Sequence, residues 1–147
     1  MLKKYLEKLD QYKNFEIEGN IDKFDEILGK IAELNDPNSI EGLIQYFDDD
    51  SDYPEVIFGI IHLIEQFDDD TYLINLLPNS ISMFRESPYW IEVLHYRILN
   101  SPSTLEAYKA IFPLLSGDVI DVLKMLLEKI GVEDNSFSDR CNEILNQ

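Results

Sequence analysis

Apolar residues recur three and four positions apart along nearly the whole chain, and almost no stretch alternates as a strand would. Leu2, Tyr5, Leu6 and Leu9 share one helical face, as do Ile21, Phe24, Ile27, Leu28, Ile31 and Leu34. Asp36-Pro37, Tyr53-Pro54, Ser87-Pro88 and Ser101-Pro102 punctuate this pattern. Proline has no amide hydrogen and is tolerated in the first turn of a helix, so each pair marks a helix entry. Asp36, Asp52, Ser87 and Ser101 are expected to cap the free amides there. The periodicity predicts helices over 1–14, 21–34, 38–47, 54–67, 71–84, 88–100, 103–115, 118–130 and 136–146.

Alternate helix starts in this series fall about 33 residues apart, the period of a stacked helical hairpin. Ile60-Ile61-His62-Leu63 matches Val93-Leu94-His95-Tyr96 at that offset. The expected fold is all-α: a short α-solenoid of about four HEAT-like hairpins over 21–146, with the 1–14 helix as an N-terminal cap. One domain covers 1–147 in this reading; an irregular bundle with even spacing is the alternative. Helix 54–67 is apolar around most of its circumference and should be central. Its polar or small positions, Glu55, Gly59, His62 and Gln66, form one stripe, which the repeat offset continues through Glu92 and His95.

The charge distribution is as uneven as the hydropathy is regular. From Ile31 to Phe84, 54 residues pass without a lysine or arginine, and the window carries −12 of the formal −17. Folded surfaces normally intersperse both signs, because one-sign crowding repels itself. Such an acidic block implies a basic protein partner. It argues against nucleic-acid binding, which needs cations to neutralise phosphates, and against anionic membranes. The start of the chain shows no apolar signal segment, and no apolar run approaches the roughly 20 residues that span a bilayer. Cys141 is the one cysteine, so no internal disulfide forms, and a cytoplasmic location is expected.

No catalytic constellation, phosphate loop or dinucleotide fingerprint is legible, so no catalytic residue and no cofactor is assigned and the chain reads as a non-enzyme. Asp48, Asp50 and Asp52 have the spacing that begins a calcium loop. Tyr53 and Pro54 then replace its turn glycine, and Gly59 stands where the closing carboxylate belongs. His62 and His95 lack the further ligands of a zinc site, so no metal is assigned either. The element Phe-Asp-Asp-Asp occurs at 47–50 and at 67–70. It reads either as acidic lips for a cationic partner or as helix punctuation, in which aspartates meet the dipole of the next helix. The intervening helix separates the two clusters by ~20 Å. That exceeds the screening length of ~8 Å, so they act as separate patches.

The stretch from Phe47-Asp48-Asp49, through Val56 to His62-Leu63-Ile64-Glu65-Gln66-Phe67, then Trp90 and Arg97-Ile98-Leu99-Asn100, resembles the immunity protein 30 family. The resemblance implies a small helical antidote of a bacterial polymorphic-toxin or contact-dependent inhibition system, binding the C-terminal domain of its toxin. The acidic window fits a basic toxin such as a nuclease. The expected contact residues fall into three sets. Asp48, Asp49, Asp50, Asp52, Tyr53 and Glu55 are the first, and Asp68, Asp69, Asp70 and Tyr72 the second. His62, Glu92 and His95 would line an inner face, and Tyr46, Tyr53, Tyr72, Tyr89 and Trp90 are the expected aromatic anchors. A HEAT-like scaffold with no toxin partner is the competing reading, and a nucleic-acid mimic acting on a host DNA- or RNA-binding protein is a third.

Overall fold

The computed structural model describes residues 1–147 and contains helices and no strand. Its α-helices are α1 (Leu2–Gln11), α2 (Asn20–Leu34), α3 (Asn38–Leu43), α4 (Pro54–Ile64), α5 (Asp69–Leu76), α6 (Ser80–Glu86), α7 (Pro88–Leu99), α8 (Pro102–Ile111), α9 (Gly117–Glu133) and α10 (Ser138–Leu145). Single 3-10 turns follow α3, α5 and α8 and precede α10. Pro54, Pro88 and Pro102 each open a helix, as their fixed φ and missing donor require. Asn35, at φ 50°, closes α2 in the left-handed conformation that asparagine tolerates.

Expectations fail locally in the helix bounds and in the caps: the helices expected over 38–47 and 103–115 end at Leu43 and Ile111 and pass into 3-10 turns. The helix expected over 71–84 is broken at Leu77–Asn79, where Pro78 removes a backbone donor and crowds the preceding turn. Of the four expected caps, Asp36 alone bonds a helix-entry amide, accepting from Asn38 N at 3.0 Å. The Ser87 hydroxyl instead donates back to the Met83 carbonyl, and Ser101 Oγ sits 2.9 Å from Thr104 Oγ1.

The helices gather into two compact units, Met1–Asp68 and Asp69–Gln147. In the first, α2 packs between α1 and α4, and α3 lies against α1 and α4. Leu9, Phe24, Ile31, Ile40, Leu43, Ile57, Ile60 and Ile61 form its core. Phe24 is pinned by two edge-on rings, Phe15 at 5.0 Å and Tyr46 at 5.5 Å. In the second unit, α5 packs on α8, α6 on α7 and α9, and α10 on α8 and α9. Leu73, Leu94, Tyr108, Leu123, Leu127 and Ile144 are its buried centre. Helices one repeat apart touch within each unit, as α2 and α4, α5 and α8, and α7 and α9 show.

Candidate partner-binding surface

Asp48, Asp49, Asp50 and Asp52 all stand exposed on the loop before α4, and Glu55 is exposed in its first turn. Buried Phe47 anchors one end of this loop and Pro54 fixes the other. Asp48 Oδ1 accepts the Asp50 amide at 2.9 Å, which folds the acidic run into a tight turn. Asp50, Asp52 and Glu55 make no ion pair, as expected where the neighbouring sequence offers no cation. Tyr53 is half-buried rather than presented. It sits edge-on to Phe15 at 5.9 Å, and burial followed by its bond to Glu16 raises its pKa.

The second expected group divides. Asp68 and Asp70 are exposed. Asp69 is half-buried and accepts the Thr104 hydroxyl at 2.7 Å, tying the start of α5 to α8. Tyr72 is 4% exposed and belongs to the core, because its place on α5 faces the packed side with Leu73 and Leu76.

The inner-face set divides as well. His62 is exposed on α4, in line with Glu55, Gly59 and Gln66. His95, one repeat later, is fully buried on the core face of α7 with Ile91, Leu94 and Ile98. Its burial is tolerated because both ring nitrogens are satisfied, by the Ile91 carbonyl at 2.9 Å and by Tyr108 Oη at 2.8 Å. Desolvation pushes its pKa down to about 4, so the ring is neutral at pH 7. Glu92 is half-buried and accepts from Lys129 Nζ at 2.6 Å, with Glu133 on the same ammonium at 3.3 Å. The expected continuation of the stripe is therefore core packing at His95 and an ion pair with Lys129 of α9 at Glu92. Tyr89 is exposed and rests edge-on against buried Trp90 at 5.1 Å.

Of the expected contact residues, the acidic loop before α4, Asp68, Asp70, the stripe residue His62 and Tyr89 remain exposed, and no grouping of His, Cys, Asp and Glu is able to hold a metal ion. The profile of the immunity protein 30 family matches residues 11–108, about two thirds of the chain. The chain belongs to the immunity protein 30 family. No curated protein and no solved structure matches it. As an immunity protein it carries its acidic loop and the stripe of α4 within the matched span, whereas α9 and α10 lie outside it. No helix is long and apolar enough to cross a membrane.

Sequence reasoning missed the wall that faces the α4 stripe. Asp25, Leu28, Gly29 and Ala32 of α2 lie across a groove of about 230 Å³ from Gly59, His62, Leu63 and Gln66. Burial, then the nearby Asp22 and Glu55 carboxylates, raises the pKa of Asp25. The signal was present in sequence, since Asp25, Gly29 and Ala32 are spaced four and three apart on one helical face.

Proposed function

We propose that this immunity protein is a cytoplasmic, non-enzymatic antidote that binds the C-terminal domain of a cognate bacterial toxin and blocks it through its acidic surface. The observation that supports this most is the acidic loop itself. Five carboxylates, Asp48, Asp49, Asp50, Asp52 and Glu55, are exposed within eight residues of a segment that has no lysine or arginine. A surface of this kind favours a basic partner, such as a nuclease cleft built to hold phosphate, and speeds association by electrostatic steering. Affinity additionally needs apolar anchorage, since charge supplies rate and specificity more than raw affinity.

The test is expression of the C-terminal domain encoded by the neighbouring toxin gene, alone and with this chain, combined with calorimetry on the purified pair. Restored growth and a one-to-one complex are expected. Toxicity that persists, with no heat of binding, would overturn the antidote reading. Several unrelated partners captured in its place would favour a HEAT-like scaffold.

A further inference from the structure

The groove between α2 and α4 has three properties that together specify an occupant. Its apolar lining comes from Leu28, Gly29, Ala32, Gly59 and Leu63. Nothing lies within 4 Å of the place a Cβ would take at Gly29, and only Leu28 Cδ1, at 3.8 Å, approaches that place at Gly59. Both glycines sit in helix interiors, where glycine costs roughly 1 kcal/mol against alanine, so no internal contact explains their small size.

Asp25 is the carboxylate that lines this groove. The charges acting on it are those of Asp22 and Glu55, both of its own sign. None of the three makes an ion pair, and no lysine or arginine lines the groove. Asp22, Asp25 and Glu55 are exposed and act on one another with the same sign, so this end of the groove presents negative charge that favours a cation.

The volume, about 230 Å³, is below the roughly 300–1,000 Å³ of small-molecule sites, and suits one protruding side chain. The larger groove between α1 and α3 has less claim. Lys3 lines it, and its Asp10 is already held by Lys13 at 3.1 Å and by Tyr46 at 3.3 Å.

Resting on the antidote reading, we propose that the α2–α4 groove receives one arginine side chain projected from the toxin domain. The methylene stem lies over Gly29 and Gly59, and the guanidinium meets Asp25 with Asp22 and Glu55 beside it. Arginine fits better than lysine, because a planar fork with five donors can serve several carboxylates at once.

The first test uses the full chain labelled with ¹⁵N and the peptide acetyl-Ala-Arg-Ala-amide. Its control is the same peptide with neutral citrulline in place of arginine. Saturable shifts centred on Asp25, Gly29, Gly59 and His62, seen with arginine alone and lost in Gly59→Leu, are expected. Equal shifts with both peptides, shifts centred on Asp48–Asp52, or no shifts at millimolar peptide would overturn the proposal. A Cβ is accommodated at both glycines, and circular dichroism checks that Gly29→Leu and Gly59→Leu fold.

Against the toxin domain, both substitutions and Asp25→Asn should weaken binding at least about tenfold. Wild-type binding with groove variants unchanged would sink the groove and leave the antidote standing. A wild-type chain that binds no toxin domain would sink the antidote reading, whatever the peptide does.

Discussion

His95 Nε2 lies 2.8 Å from Tyr108 Oη in the interior of the second unit, and both side chains are fully buried. The Ile91 carbonyl, 2.9 Å from Nδ1, can only accept, so Nδ1 carries the proton and Nε2 accepts from the tyrosine hydroxyl. The pair joins α7 to α8 by a neutral, fully satisfied bond with no charge to solvate.

Acid should therefore loosen the second unit. The pKa of His95 is about 4 in the folded protein and near 6.5 when the chain unfolds. A depressed histidine means the unfolded chain binds the proton first, so its contribution is full above pH 6.5 and is lost between 6.5 and 4. That loss amounts to roughly 3 kcal/mol. Urea unfolding across this range should show a steeper decline for wild type than for His95→Gln. Parallel curves would show that the histidine does not titrate as its burial requires.

Reversing Asp48, Asp49 and Asp50 to lysine should slow toxin association by about tenfold or more at low salt, with the difference shrinking as salt rises. Stopped-flow mixing at two ionic strengths measures it, and helical content should not change because the three residues lie in the loop before α4, outside any helix.

The Asp68–Asp70 run should separate into structural and surface members. Thr104→Val removes the hydroxyl that reaches Asp69 and should lower stability by about 1 kcal/mol. Asp70→Asn, at an exposed position, should stay within about 0.5 kcal/mol of wild type. Chemical denaturation of the two variants decides whether this cluster is one acidic patch or a patch built around a packing contact.

Ser39 and Ser80 bury hydroxyls that find no partner, in α3 and at the start of α6. Ser39→Ala and Ser80→Ala should each raise stability by about 1 kcal/mol, since an unsatisfied buried donor costs more than the methyl that replaces it. Unchanged midpoints would mean that water reaches these hydroxyls.

Much of this architecture can be read along one dimension. Helix positions follow from apolar spacing, and the openings at Pro54, Pro88 and Pro102 follow from what proline cannot do. The break at Pro78 was legible for the same reason, although the apolar pattern of 71–84 runs through it. Asp36 apart, the caps were not legible. A serine before a helix can bond forwards or backwards, and at Ser87 the preceding turn wins.

The sequence by itself determined the all-helical class, the acidic window and the family, because these rest on local periodicity, composition and motif. Tertiary structure decided which of two histidines, 33 residues apart in similar helical settings, faces water and which is core. His62 lies on the outer stripe of α4, whereas α7 is flanked by α6 and α8, and Tyr108 supplies the partner that makes a buried imidazole tolerable. It also placed Asp25 of α2 against the stripe of α4, a meeting of residues some 34 positions apart that depends on how two helices pack. Periodicity tells a helix which side is apolar; only the neighbours settle which polar residues end up between two helices.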